Sequence, residues 1–330
     1  MEPKLIYHQD ALNKSSFLVT GGAGFIGSNI VGYLLRNGAK KVRVLDNLSN
    51  GYWENIKEFN GLPEFEFQEG DIRDFSVCKA ALADMDYVSH QAALGSVPRS
   101  IEDPITTNSV NINGFLNVLV AAKESTCLKK MVYAASSSTY GDSNILPKVE
   151  GQEGQPLSPY AITKAVNEDY ARVFSSVYGF HTIGLRYFNI FGPKQNPLNP
   201  YAAVIPLFCN AFLNDTSPVI FGDGNSSRDF TFVENAIQAN MIALLSNASI
   251  KQHSVFNVAC GEQISLNELV EALRNVSGKK IAAIYSEERL GDVKHSKASI
   301  DKIKMTLGYE PRVKFDVGIS EVYKWYSLTR

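Results

Sequence analysis

What this chain of 330 residues lacks narrows the field before any motif is read. No apolar run approaches the roughly 20 residues that a bilayer-spanning helix needs, and residues 1–16 are too polar for a signal peptide, which predicts a cytoplasmic protein with no membrane insertion. Charge of neither sign is in excess: 32 Lys and Arg stand against 34 Asp and Glu, a net charge of -2, and the basic residues are scattered. That removes the electrostatic footprint of nucleic-acid or anionic-membrane binding and leaves a small molecule as the expected partner. Cysteine is scarce. Cys78, Cys127, Cys209 and Cys260 form no C-x-x-C pair, so buried free thiols are expected, with no disulfide framework and no metal site. The five histidines are equally dispersed, and neither internal repeats nor low-complexity tracts occur.

What is present starts with Phe17-Leu18-Val19-Thr20, a short apolar strand running into Gly21-Gly22-Ala23-Gly24-Phe25-Ile26-Gly27. An amphipathic helix over 26–36 and a second strand over 41–45, closed by Asp46, complete a β-α-β unit. The glycines divide three tasks: a tight turn, room for backbone to approach a pyrophosphate, and close packing of helix on strand. Free N–H groups at the helix start favour phosphate, and Asp46 is placed to accept from the adenosine ribose hydroxyls. Because Asn47-Leu48-Ser49 follows with no arginine to pair a 2'-phosphate, the spacing predicts NAD and not NADP.

The alternation continues. A strand over 65–68 leads into Gly70-Asp71-Ile72, where Asp71 and Ile72 would flank adenine; a helix over 76–83 and a strand over 86–90 lead to Gln91-Ala92-Ala93, small residues bordering the middle of the cofactor. A long helix over 105–125 precedes a strand over 130–135, which delivers Ser136-Ser137-Ser138-Thr139-Tyr140-Gly141 to the carboxyl edge of the sheet, where open parallel sheets bind ligands. In Ser158-Pro159-Tyr160-Ala161-Ile162-Thr163-Lys164, Pro159 suits a first helical turn and puts Tyr160 and Lys164 at i and i+4 on one face. An ammonium there would favour the phenolate, making Tyr160 a base. After a strand over 182–185 and the Pro- and Asn-rich stretch from Gln195 to Tyr201, the texture changes to a mixture of helices and short strands. The expected fold is therefore α/β: an N-terminal arm over 1–15, a Rossmann-type doubly wound parallel sheet over 16–192, and a smaller mixed α/β substrate lobe over 193–330 interleaved with it.

Three pieces stand in order: Thr20-Gly21-x-x-Gly24-x-x-Gly27, the serine tract at Ser136, and Tyr160-x-x-x-Lys164. With Arg186-Tyr187-Phe188-Asn189, Gly222-Asp223-Gly224 and Arg228-Asp229-Phe230, the chain resembles the extended short-chain dehydrogenase/reductase family along nearly its whole length. Within it, Gln91 to Ser100 and the N-terminal arm are most similar to bacterial UDP-N-acetylglucosamine 4-epimerases; enzymes acting on the corresponding uronic acids share that subgroup.

The resemblance implies a set of roles. Tyr160 would take the proton of the sugar C4 hydroxyl while the C4 hydride passes to NAD; Lys164 would hold the nicotinamide ribose and keep the tyrosine pKa low. Ser136, with Ser138 as a second contact, would bond the C4 oxygen. Where related dehydratases and decarboxylases carry acids, this chain has Ser137, Ser138 and Thr139, so the keto sugar would receive its hydride back on the other face. Phe25, Ile26, Asn47, Ser49, Asn111 and Tyr187 would join the cofactor site. Gly95, Ser96, Asn189, Val204, Val219, Phe221, Arg228, Arg289 and Asp292 would hold the nucleotide and sugar, and Ser296 would leave room for a 2-acetamido group where relatives confined to plain hexoses have tyrosine. Arg99 would pair either with the diphosphate or with a uronate. A homodimer through the helices over 105–125 and 159–177 is also implied, with Phe115, Leu119, Phe174 and Val177 as apolar positions.

Overall fold

Alternation along the strands decides how the layers form. In the strand Ser16–Thr20, Phe17 and Val19 enter one core and Leu18 the opposite one, so helices must cover both faces of the sheet. A computed structural model describes residues 7–247, 252–288 and 294–329. Its central sheet has seven strands: β1 (Ser16–Thr20), β2 (Lys41–Asp46), β3 (Phe65–Glu69), β4 (Tyr87–His90), β5 (Lys130–Ser136), β6 (Thr182–Tyr187) and β7 (His253–Val258). All are parallel, in the spatial order β7-β6-β5-β4-β1-β2-β3. Strand order reverses between β1 and β4, and there the crevice opens at the carboxyl edge.

One face is packed by the helices Phe25–Arg36 and Val233–Leu245, the other by Phe75–Leu82, Phe115–Glu124 and the buried side of Pro159–Tyr178. Both β7 and the helix Val233–Leu245 come from beyond residue 193, so the second half of the chain completes the main sheet. A separate aromatic core, with Phe191, Phe208, Phe212, Phe230, Phe232 and Phe315, holds the smaller lobe together. Of the N-terminal arm, residues 1–6 lie outside the described residues. The short helix Gln9–Leu12 buries Leu12 in the main core, and the Tyr7 N–H donates to the Tyr33 hydroxyl at 2.8 Å.

Two expected elements are broken where side chains compete for the backbone. The helix expected over 105–125 is divided into Pro104–Asn108, a π-helical turn Ser109–Gly114, and Phe115–Glu124. In that wide turn the Asn111 carbonyl accepts from the Asn167 amide at 2.8 Å. Among the short strands expected beyond residue 193, the one over 229–232 becomes two short pieces, Ser227–Arg228 and Thr231–Phe232, in different two-stranded sheets. Between them the buried Asp229 carboxylate accepts from the backbone N–H groups of Cys260 at 2.9 Å, Gly261 at 3.1 Å and Ala298 at 3.1 Å, turning the chain inward. Among the described residues no helix is long and apolar enough to cross a membrane.

Candidate active site

The glycine turn is built for close approach. Gly21 has φ +67, and a Cβ there would sit 2.6 Å from the Ala92 nitrogen; at Gly27 it would meet the Gly21 carbonyl oxygen at 2.1 Å. Gly24 begins the helix Phe25–Arg36 with no side chain capping its N–H groups, which leaves them to a ligand. Asp46, at the end of β2, anchors this turn: its Oδ2 accepts from the Ala23 N–H and its Oδ1 from the Leu48 N–H, both at 2.9 Å. Burial pushes its carboxyl pKa up against these bonds. Asp71 is held the other way, down to about 2, chiefly by the Arg73 guanidinium; the Asn47 amide adds a bond at 2.9 Å.

Helix Pro159–Tyr178 starts as its sequence dictates. The Ser158 hydroxyl caps it by accepting from the Ala161 N–H at 3.1 Å, Pro159 occupies the first turn, and the Tyr160 N–H donates to Ser100 Oγ at 3.1 Å. One turn on, the buried Lys164 ammonium donates to the Ala134 carbonyl of β5 at 2.8 Å and stands 5.9 Å from the Tyr160 ring centre. Burial lowers the Lys164 pKa to about 8, opposed by Glu168. The Tyr160 phenol is pushed up by burial, and the group acting against this is the Ser136 hydroxyl that hydrogen-bonds it. Lys164 is not among the groups that act on the phenol here, its ammonium being held at the Ala134 carbonyl.

These groups line one cavity of about 550 Å³. Gly21, Gly24, Phe25, Ile26, Gly27, Asp46, Asn47, Ser49, Asp71, Ile72, Gln91, Ala92, Ala93, Gly95, Ser96, Ser136, Tyr160, Lys164, Tyr187 and Asn189 are all on its wall. The donor set fits a dinucleotide: uncapped N–H groups for phosphate, two carboxylates for hydroxyls and amine, and small residues for a flat ring.

Other expected residues are placed elsewhere. Asn111 is buried behind the wall, where its side chain accepts from the Leu94 N–H at 2.8 Å and donates to Leu94 O and to Thr163 Oγ1. Ser138 is off the wall and bonded to Ser136, because β5 ends at Ser136 and a tight turn begins; Ser137 takes the wall position. Val204 follows the wall residue Ala203. Val219, Phe221, Arg228 and Ser296 belong to the smaller lobe and do not line this wall; Arg228 donates to the Ser227 carbonyl and the Ser296 N–H donates to the same oxygen, each at 3.0 Å. Arg289 and Asp292 lie outside the described residues.

The structure adds residues that pattern reading missed. Lys194, Gln195, Asn196, Asn199 and Tyr201 form a strap along the cavity, facing Asn50, Tyr52 and Asn55. Lys194 donates to the Asn55 carbonyl at 2.6 Å, Asn196 to the Tyr52 hydroxyl at 2.7 Å and Asn199 to Asn50 Oδ1 at 3.2 Å. The density of asparagine in 195–201 was the signal available, since amide side chains suit a loop that must bridge to another loop.

The sequence profile of the NAD dependent epimerase/dehydratase family matches residues 17–259. A UDP-glucose 4-epimerase of Mycolicibacterium smegmatis is 32% identical over 311 residues, covering 94% of this chain and 97% of that one. The structure of a UDP-N-acetylglucosamine 4-epimerase from Methanobrevibacter ruminantium M1, in complex with UDP-N-acetylmuramic acid, superposes with a TM-score of 0.90 at 39% identity, covering 96% of this chain and 99% of that one. A UDP-glucuronic acid 4-epimerase from Bacillus cereus, in complex with UDP-glucuronic acid and NAD, gives 0.88 at 30% identity, covering 96% of this chain and 100% of that one. With the profile spanning the glycine turn, the serine tract and the Tyr160 helix, this chain belongs to the NAD dependent epimerase/dehydratase family.

Proposed function

We propose that this protein interconverts the C4 epimers of a UDP-N-acetylhexosamine, UDP-GlcNAc and UDP-GalNAc, as an NAD-dependent UDP-sugar 4-epimerase. The observation that carries this reading is the distribution of acids around the cavity: among the described residues, the carboxylates on its wall are Asp46, at the end of β2, and Asp71, after β3, while Ser136 and Tyr160 stand at β5. At about 4.8 Å per strand, β5 and β2 are roughly 14 Å apart, so no carboxylate on that wall stands beside the reacting carbon to drive loss of water. Bound NAD supplies a reversible hydride acceptor.

Tyr160 removes the C4 hydroxyl proton and returns it, Ser136 donates a hydrogen bond at the reacting oxygen, and Lys164 would hold the cofactor ribose with its ammonium. Gln91 and Tyr187, bonded to each other at 3.1 Å, shape the wall beside the cofactor. The neutral sugar is favoured over a uronate because Arg99 is already engaged, its guanidinium 4.9 Å from the Tyr201 ring centre and 3.4 Å from Asn50 Oδ1. Similarity to the Methanobrevibacter enzyme supports the N-acetyl preference, as does serine at position 296.

The test is to incubate purified protein, without added nucleotide, with UDP-GlcNAc, UDP-glucose and their uronic acids in turn, and follow the C4 epimers by proton NMR. Conversion of UDP-GlcNAc with the highest kcat/KM is expected, and Ser296→Tyr should suppress it more than conversion of UDP-glucose. Stoichiometric consumption of nucleotide would make the protein a net oxidoreductase, and a preference for the acid that Arg99→Ala removes would make it a uronate epimerase.

A further inference from the structure

A serine hydroxyl has one proton to give and two lone pairs with which to accept. At Ser136 both lone pairs are taken by the same neighbour: the Ser138 N–H donates to Ser136 Oγ at 3.2 Å and the Ser138 hydroxyl donates to it at 2.9 Å. The chain path enforces this. β5 ends at Ser136, and the 3-10 turn Ser137–Tyr140 folds residue 138 back over the side chain that caps it. That turn is fixed from below: the Thr139 hydroxyl donates to the Ser136 carbonyl at 2.8 Å, and the buried Tyr140 hydroxyl donates to Asn257 Oδ1 at 2.7 Å. Ser136 and Ser137 reach the cavity wall, and Ser138 does not.

We propose that Ser138 is a positioning residue that holds Ser136 as a pure hydrogen-bond donor, so that the sugar C4 proton passes directly to the Tyr160 oxygen and not through Ser136. The inference rests on the epimerase reading above and deepens it. A serine relay would need Ser136 Oγ to accept the sugar proton while giving its own to Tyr160; with both lone pairs filled it has nowhere to accept. The Ser136 side chain is also the group that works against burial to favour the Tyr160 phenolate, so its one remaining proton serves the Tyr160 oxygen and the reacting C4 oxygen together. In the forward step the C4 O–H bond breaks and an O–H bond forms on Tyr160. The C4–H bond breaks as hydride leaves for the oxidised cofactor, and the C4 carbonyl forms; the return step reverses every transfer on the other face.

The experiment compares wild type, Ser138→Ala, Ser138→Thr and Tyr160→Phe on whichever UDP-sugar the wild type epimerises, with kcat and KM measured across pH. Ser138→Ala frees one lone pair of Ser136 and weakens its donor bond. Its kcat should fall about tenfold, the worth of one hydrogen bond. KM should stay within about twofold, and the acid limb of the kcat profile should move up by about half a pH unit or more. Ser138→Thr keeps the hydroxyl and should restore both values. A rise in KM with an unmoved acid limb would make Ser138 a direct sugar contact and overturn the proposal, as would an Ala variant indistinguishable from wild type or a Thr variant that restores neither. Failure of the underlying reading looks different: no epimerisation by wild type, or turnover retained by Tyr160→Phe.

Discussion

The side-chain amide of Asn240 donates to the Tyr187 hydroxyl at 2.8 Å, and the two residues close a ring with Gln91, which accepts from Tyr187 at 3.1 Å and donates to Asn240 Oδ1 at 3.2 Å. Asn240 is fully buried on the helix Val233–Leu245, whereas Tyr187 and Gln91 are on the cavity wall. A helix from the second half of the chain therefore sets the wall that the first half presents.

Asn240→Leu should break that ring. It removes the donor that Asn240 gives Tyr187 and the acceptor it gives Gln91 and Ser89, at a cost of about 2 kcal/mol. The expected outcome is a lower melting temperature together with less copurified NAD, measured on the same preparation. Unchanged NAD content beside a lower melting temperature would confine Asn240 to the core.

How much of this was readable follows from how local each signal is. Gly21 to Gly27, Asp46, Tyr160 and Lys164 announce themselves because turn, helix start and i,i+4 spacing are set by neighbours in sequence. β7, His253–Val258, was not read: it is one short strand after a polar stretch of sequence, and what fixes it is pairing with Thr182–Tyr187 about 70 residues away. The ring at Asn240 was invisible for the same reason. Asn111, expected at the cofactor, has another task behind the wall, since only the fold brings Leu94 and Thr163 to it. Of the apolar positions expected for a dimer, Phe115, Leu119 and Phe174 are core residues.

Lys164→Met is expected to abolish turnover and yet stabilise the cofactor-free protein at pH 7. The buried lysine's pKa drops from 10.5 to about 8, which corresponds to roughly 3 kcal/mol of desolvation cost borne below pH 8. Loss of the bond to the Ala134 carbonyl returns about 1 kcal/mol of it. Between pH 8 and 10.5 the folded state sheds its proton before the unfolded chain does, so wild-type stability climbs through that window. Thermal scans of both proteins from pH 7 to 10 should show the variant melting a few degrees higher at first and the gap closing as pH rises; equal melting temperatures at pH 7 would mean that the buried ammonium carries no such cost.

A second copy of the chain is proposed to cover the outer face of the helices Val97–Glu102, Pro104–Asn108 and Pro159–Tyr178. Ile105 is 82% exposed and Val177 is 64% exposed, with Ile101, Ile162 and Val173 also open to solvent. Ile162, Val173 and Val177 recur at helical spacing on one side. The double variant Ile105→Glu, Val177→Glu should change the mass by light scattering from dimer to monomer. A wild type that is already monomeric removes the proposal.

The strap over 194–203 should govern how firmly NAD is held. Its bonds to Asn50, Tyr52 and Asn55 cross from one bank of the cavity to the other, and Tyr201 donates from its hydroxyl to the Glu102 carboxylate while its ring lies against Arg99. Hydride leaves and returns within one turnover, so the catalytic cycle has no need to open this strap. Cutting its ties must then act on cofactor exchange before it acts on chemistry. Asn196→Ala combined with Asn199→Ala removes two cross-bank bonds and none of Ser136, Tyr160 or Lys164. NAD should dissociate from this variant about tenfold faster or more, given about 1 kcal/mol per lost bond. Its kcat at saturating NAD should remain near that of wild type. Dialysis followed by absorbance of retained nucleotide gives the first quantity, and epimerisation with NAD restored gives the second. A variant that keeps its NAD through dialysis as long as the wild type would show that the glycine turn and Asp46 hold the cofactor without the strap.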